Sequence, residues 1–527
     1  MKNIHHDQSA TLIKRARRNT LGDLLTRTAA RYPDKLAFTY KNRSVTYLEL
    51  YHLVNQTAHG LMKEGIKKGD KLALLSKNNL DFVIINFAVA KIGAVLIPIN
   101  YMLTEKDIGY ILNHAEVDGL FATTEYAETL DQSAKGSTIK QRYLLETISA
   151  ESTREGWIAL SKIQYNQETT PVEVDISDDD LAHILYTSGT ESSPKGVMLS
   201  HKSIISEYVS SVVDGQMSSR DILVHALPFY HSAQLHVFLG PSIYIGATGI
   251  ILEEANPAII METIEKHKAS QLFAPPTVWI AILRHPDFDN VQLNTLEKCY
   301  YGAAIMPREI LRELSRRLPN SRFWNFYGQT EVAPLATALQ PEDQLRKLGS
   351  AGKPTLHVET KIVDENDFEV PKGEIGEIVH RTPHAMLGYL NDPEKTLEVF
   401  KNGWFHSGDL GVMDEEGYIT IVDRKKDIIN TGGISVSSRE VEEVIYQLKE
   451  VAEVAVIGVK DDYWIEAITA IIVLKENKSL TEEAIIQFCK QHLSTFKSPK
   501  FVYFTEALPK NPSGKVLKKN LRNIYEK

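Results

Sequence analysis

Between about residue 70 and residue 330, short apolar runs alternate with segments of helical periodicity, and this alternation confines the chain to one broad architecture. LALL at Leu72 to Leu75 is followed by the helical pattern Leu80 to Lys91 and then by VLIPI at Val95 to Ile99. The rhythm returns at Ile222 to Leu227, Thr248 to Leu252, Gln271 to Ala274 and Lys298 to Tyr301. Strand and helix alternating at this spacing build βαβ units on mostly parallel sheets. Two layered α/β subdomains are expected.

Downstream the pattern changes. Between about 350 and 422, short strands such as Val358 to Val363 and Ile375 to His380 are separated by the turn pairs Lys372-Gly373 and Glu416-Gly417. That stretch predicts a small antiparallel β-barrel. After the charged run Asp423 to Asp427, helix and strand alternate again through Ser438 to Leu448, Ala452 to Val459, Ala467 to Leu474 and Thr481 to Leu493. This is the signature of a separate α+β domain. A chain of 527 residues also exceeds what one hydrophobic core serves. The expected division is an N-terminal domain over 1–425, barrel included, and a mobile C-terminal lid over 426–527.

Composition excludes several classes of function. The formal net charge of −9 is mild for this length and argues against a nucleic-acid partner. Only Cys299 and Cys489 are present, far apart and without histidines at metal-ligand spacing, so neither a disulfide framework nor a zinc site is supported. A reducing cytoplasm is the expected location. Lys14, Arg15, Arg17 and Arg18 read as a solvated arm on the first helix, since no apolar segment follows them. No run is long enough to span a bilayer, so a soluble protein is expected.

The chemistry announces itself at Tyr186 to Val197, YTSGTESSPKGV, a loop of glycines and small hydroxyl residues behind the apolar Ile184 and Leu185. Glycines let backbone approach a polyphosphate, and hydroxyls and N–H groups donate to its oxygens. The loop is not a Walker A sequence, because Gly196 follows Lys195 where a magnesium-binding hydroxyl belongs. A P-loop kinase or ATPase is therefore disfavoured.

The loop has company: LPFYHSAQLHVF at Leu227 to Phe238, YGAA at Tyr301 to Ala304, YGQTE at Tyr327 to Glu331, WFHSGD at Trp404 to Asp409, DRKKDIINTGG at Asp423 to Gly433 and PKNPSGKVLK at Pro509 to Lys518. In this order they resemble the adenylate-forming superfamily of acyl-CoA synthetases, peptide-synthetase adenylation domains and luciferases. The resemblance covers nearly the whole chain, from VTYLEL at Val45 to Leu50 onward.

That resemblance implies a set of roles. In such enzymes a carboxylate attacks the α-phosphorus of ATP, and cations and donors must gather where anion meets anion. Lys515 resembles the lysine that reaches carboxylate and α-phosphate, although beside Lys518 and Lys519 it also reads as part of an exposed basic tail. Glu331 looks like the Mg²⁺ carboxylate, with Thr330 a neighbouring donor; one carboxylate suffices where phosphates and water complete the shell. Thr187, Ser188, Gly189, Thr190 and Lys195 would hold the ATP phosphates. Tyr327 would face adenine, with Gly302, Ala303 and Ala304 small enough for its edge to meet the backbone. Asp409 and Arg424 resemble ribose contacts, a carboxylate being able to accept from both hydroxyls. His231 occupies the position beside the acyl carboxylate; His236 is read as structural. Lys426 falls where the family places its hinge, and the swing would bring Gly432 and Gly433 to the CoA thiol's approach.

Two departures stand out. Glu191, Ser192 and Ser193 occupy the phosphate loop where the family has mostly threonine and glycine, and Ile434, Ser435 and Ile465 replace a common Glu-Asn and a common glycine. The second half-reaction, not the first, is affected. The leading reading is an ATP-dependent acid:CoA ligase using Mg²⁺, for a medium- or long-chain fatty acid. It rests on the uncharged run Leu227 to Phe238, with Leu235, Val237, Phe238, Leu239, Tyr300 and Tyr301 as channel walls. An aryl acid and an acyl-AMP ligase loading a carrier protein are the alternatives. Assembly, homodimer included, is left open.

Overall fold

The computed structural model describes residues 9, 12–146, 154–165, 167–187, 194–304, 306–432, 434–461, 463–510 and 516–526. They form two compact units: Met1–Leu348 with Pro354–Glu359 and Arg381–Glu398, and Gly349–Lys353 with Thr360–His380 and Val399–Lys527.

The first unit is built on two sheets. One contains the parallel strands β1 (Lys71–Leu75), β2 (Val95–Pro98) and β3 (Gly119–Ala122). It continues through β4 (Leu181–Thr187), which turns back on β5 (Lys195–Ser200) as an antiparallel pair. Helix α1 (Leu80–Ile92), between β1 and β2, is buried along its whole length, in keeping with a sequence that is apolar all round but for Asp81, Asn86 and Lys91. Asn79 caps its start and Gly93, at φ 70°, ends it.

In the other sheet six neighbouring strands run in the order β11–β10–β9–β8–β6–β7. These six are β6 (Ile222–His225), β7 (Thr248–Ile251), β8 (Gln271–Phe273), β9 (Lys298–Gly302), β10 (Arg322–Gly328) and β11 (Leu335–Leu339), parallel except for β11 against β10. Alternation along these strands sends side chains to two different cores. Val224, Leu272, Cys299, Tyr301 and Phe323 pack against the helices Pro257–His267, Pro276–Leu283 and Arg308–Arg317. Leu223, Phe273, Tyr300, Trp324 and Phe326 face the opposite way, toward Val237 and Phe238. Tyr301 and Tyr300 therefore cannot wall one channel, which corrects the expectation drawn from their adjacency. Leu227 to Phe238 ends in a π-helix, Ala233–Leu239, entered by the N–H of Leu235 donating to the carbonyl of His231 at 3.0 Å. Helix α2 (His201–Asp214) packs beside it.

In the second unit, β12 (Ile375–Arg381), β13 (Trp404–Met413) and β14 (Ile419–Arg424) pair antiparallel within a five-stranded sheet, in the stretch expected to be antiparallel. The C-terminal part holds β15 (Ile429–Thr431), β16 (Ile434–Val436), β17 (Val451–Asp461), β18 (Ile465–Leu474) and β19 (Phe501–Phe504), ordered β16–β15–β18–β17 with β19 parallel to β18. Helices α3 (Ser438–Ile445) and α4 (Glu482–His492) cover one face through Val441, Ile445, Ile485 and Cys489. Helix α5 (Lys518–Tyr525) places Leu521 on the other, against Ala455, Ile457 and Ile471. Both cysteines are free and buried. Among the described residues no helix is long and apolar enough to cross a membrane.

Candidate active site

The candidate residues of the first unit sit at or just beyond the ends of β4, β9 and β10, where open α/β sheets place their ligands. Thr187 and Lys195 are directly opposite each other on the β4–β5 pair. They frame the glycine loop, whose residues Ser188, Gly189, Thr190, Glu191, Ser192 and Ser193 lie outside the described residues.

The Lys195 ammonium stands 5.0 Å from the centre of the Tyr389 ring, a cation–π contact. The Tyr389 hydroxyl donates to Glu331 Oε1 at 2.9 Å. Backbone support comes from the Met386 N–H, which donates to the Glu331 carbonyl at 2.8 Å. One aromatic side chain thus joins the phosphate-loop lysine to the candidate Mg²⁺ carboxylate. Burial, reinforced by the Glu331 charge, pushes the Tyr389 phenol up, so it stays a donor. Nothing in GYLND singled Tyr389 out in the sequence: it lies between recognised motifs, and only the pairing of Tyr389 with Val197 on β5 brings it to Glu331.

Thr330 opens a short 3₁₀ turn after β10, and its hydroxyl lies 3.1 Å from that of Ser232. Ser232 follows His231, whose Nδ1 accepts from the N–H of Ala233 at 3.2 Å. That bond leaves Nε2 as the protonated nitrogen of the neutral ring. His231 and Thr330, both candidates from the sequence, are thereby linked through Ser232, a second contact the sequence did not flag. His236 is wholly buried, hydrogen-bonded to His183 at 2.9 Å and to the Ala333 carbonyl at 3.2 Å, as a structural residue would be.

Gly302 and Gly328 have packing reasons of their own. A Cβ on Gly302 would lie 2.4 Å from the carbonyl oxygen of Phe326, its register partner, and one on Gly328 would lie 1.8 Å from that of Pro334. Close approach of protein backbone, independent of any ligand, already demands glycine at both. Ala303, at φ 64°, and Ala304 are exposed beyond the strand, and Tyr327 is half-buried on β10.

In the second unit Asp409 and Arg424 are register partners on β13 and β14, with Arg424 Nε 3.5 Å from Asp409 Oδ1. Asp409 is buried, and its N–H donates to the Ser407 hydroxyl at 3.0 Å. A carboxylate acceptor and a guanidinium donor thus stand side by side. Lys426 is exposed at the middle of a turn closed by the Asp427 N–H donating to the Arg424 carbonyl at 2.9 Å. Gly432 donates its N–H to the Trp464 carbonyl at 2.6 Å. Gly433 and Lys515 lie outside the described residues. Lys518 corrects the picture of a basic tail: it is held against α3 by Ser438 Oγ at 2.6 Å and Glu442 at 2.8 Å.

Among the described residues no group of three or more His, Cys, Asp or Glu side chains could hold a metal by themselves. A lone carboxylate beside a threonine hydroxyl fits a Mg²⁺ that arrives with phosphate oxygens, not one resident in a protein cage.

Residues 25–390 match the AMP-binding enzyme family and residues 440–515 the AMP-binding enzyme C-terminal domain. The chain belongs to this family, the adenylate-forming superfamily, as an AMP-forming acid–thiol ligase. It is similar to a feruloyl-CoA synthase of an Amycolatopsis species, 32% identical over 97% of this chain and 100% of that one. It is also 30% identical to a long-chain-fatty-acid–CoA ligase of Escherichia coli O6:H1, over 97% of this chain and 96% of that one. The crystal structure of the anthranilate CoA ligase AuaEII in complex with anthranoyl-AMP superposes with a TM-score of 0.89 at 25% identity, over 97% of this chain and 98% of the other.

Proposed function

We propose that the chain converts a carboxylic acid, ATP and CoA to an acyl-CoA, AMP and pyrophosphate in two steps through an acyl-AMP. The observation that carries the reading is the Lys195–Tyr389–Glu331 chain beside the Ser232–Thr330 contact, which gathers a cation, a carboxylate and hydroxyl donors. Glu331 would hold Mg²⁺, which shields the phosphate charge when bound. Thr187, Ser188, Gly189, Thr190 and Lys195 would hold the phosphates, Tyr327 and Gly302 to Ala304 the adenine, and Asp409 with Arg424 the ribose. Thr330 and His231 would orient the acid, and Lys515 would neutralise charge at the α-phosphate as the carboxylate attacks. The lid 426–527 would then turn about Lys426, withdraw Lys515 and bring up Gly432 and Gly433 for the CoA thiol. Two buried free thiols suit a cytoplasmic enzyme.

For the acid, the fatty-acid reading keeps the support of the apolar Leu235, Val237 and Leu239. A specific observation favours an aryl acid: Phe238 stacks on Phe273 at 4.4 Å and lies 5.1 Å from Tyr300 and 6.1 Å from Phe326. Such a wall of rings packs well against a planar substrate. The chemistry is tested with Lys515→Ala. Adenylation, read as pyrophosphate release, is lost, while thioester formation from supplied acyl-AMP and CoA survives; equal loss of both would overturn the two-step, two-orientation reading.

A further inference from the structure

Between the π-helix and the sheet face of β6 and β8 lies a narrow void lined by Leu223, Val224, His225, Gln234, Phe238, Gln271 and Phe273. Three of these residues are polar, and none is more than 1% exposed. Each turns one polar atom that has no hydrogen-bond partner: His225 Nε2, Gln234 Oε1 and Gln271 Oε1. The other ends of the same side chains are fixed. Gln234 Nε2 donates to His225 Nδ1 at 2.8 Å, which sets the proton of that ring on Nε2. Gln271 Nε2 donates to the carboxylate of Asp221, itself paired with Lys298 at 2.8 Å. The open atoms are therefore one N–H donor and two carbonyl acceptors. Burial pushes the His225 ring down to about 3, so it is neutral and keeps this donor–acceptor pattern.

An unsatisfied buried polar atom costs about 1–3 kcal/mol, and three around one void are more than a packed core tolerates without a reason. The void is too tight for a water molecule as it stands. Gln271 is the register partner of Leu223 on β6, and His225 lies two residues further along that strand, so the polar atoms are spread over about 7 Å. The His225–Gln234 end is two residues along the chain from Ser232, the partner of Thr330.

We infer that His225, Gln234 and Gln271 are specificity-determining residues that recognise a hydroxyl group on the distal part of the acid, which enters as the Phe238 ring moves from Phe273. A hydroxyl matches the pattern because it accepts from His225 Nε2 and donates to a glutamine carbonyl. A methyl or a bare ring edge would leave all three atoms unpaired. This rests on the acid:CoA ligase reading above and narrows its substrate class to hydroxylated acids.

The test measures kcat/KM by pyrophosphate release for two matched pairs, cinnamate with 4-hydroxycinnamate and octanoate with 8-hydroxyoctanoate. The hydroxylated member of at least one pair should exceed its parent by about tenfold or more, as a site built to hydrogen-bond a substrate hydroxyl discriminates. In Gln234→Leu and Gln271→Leu that ratio should fall to within about threefold, on the same basis. Wild-type enzyme that turns over the acids but prefers the unsubstituted member of both pairs overturns the inference and leaves the ligase reading intact. Variants that keep the full ratio also overturn it. Absence of pyrophosphate with all four acids, and with a wider acid panel, overturns the ligase reading itself.

Discussion

Single residues already carry consequences. Ile465, read in the sequence as replacing a glycine, sits at φ 68°, a region that a β-branched side chain enters only under strain. It is also more than half exposed, so little packing offsets the cost. Ile465→Gly should therefore stabilise the protein by about 1 kcal/mol, read as a higher denaturant midpoint; a lower midpoint would show that Ile465 packs usefully. The sequence displays the isoleucine but not the left-handed backbone it has to occupy. Tyr389 makes the complementary case. Tyr389→Phe keeps the ring under Lys195 and removes only the bond to Glu331. A hydrogen bond to a charged group is worth about 1.5–3 kcal/mol, so loss of the bond that holds Glu331 should lower kcat/KM for ATP about tenfold or more, with a melting temperature lowered by a few degrees at most in a chain of this size. An unchanged kcat/KM would remove Tyr389 from the site.

At the scale of elements, strand and helix positions were legible because burial on both faces writes short, largely apolar runs: β6 and β8 lie inside the segments expected, and β9 runs one residue past its own, to Gly302. Thr187 opposite Lys195 and Asp409 opposite Arg424 are pairs that the sequence grouped by expected role, and the register that sets them side by side comes from the strands. What could not be read was long-range. The π-helix at Ala233–Leu239 has the same apolar composition as an α-helix, and its wider turn leaves no periodic mark. The sidedness of Tyr300 and Tyr301 needed the strand's pleat, and the His225–Gln234–Gln271 grouping needed three elements at once. Around the proposed hinge, Asp423 accepts from the Ser438 N–H and hydroxyl, both at 2.7 Å, at the start of α3, while Asp427 pairs with Arg522 of α5 at 2.7 Å. Both flanks of Lys426 are tied to helices of the C-terminal part, Asp423 to α3 and Asp427 to α5, so a swing there must break the Asp423 bonds. Lys426→Pro fixes φ and should hold one orientation: single-turnover pyrophosphate release persists and steady-state thioester output slows. A folded variant with undiminished output would place the hinge elsewhere.

For the molecule as a whole, its buried histidines set an acid limit. His225 and His236 are pushed down to about 3, and His201 and His384 to about 4, each first by burial. A base whose folded pKa lies below its unfolded value is protonated first in the unfolded chain. Stability is then complete above the unfolded value near 6.5 and falls as pH drops toward the folded one. Each histidine contributes about 1.4 kcal/mol per pH unit in that window, so the urea midpoint should fall steeply between pH 6.5 and 5. A flat profile over that range would show that these rings are not held neutral. The two thiols respond oppositely. Cys299 is fully enclosed with its thiol pushed up by burial, and Cys489 is likewise enclosed and pushed up to about 11. At neutral pH neither offers an exposed thiolate. Maleimide dyes should therefore leave the native chain unlabelled, and a pair of cysteines introduced on the surface, one on each side of Lys426, could report the distance between two fluorophores as ATP, acid and CoA are added in turn.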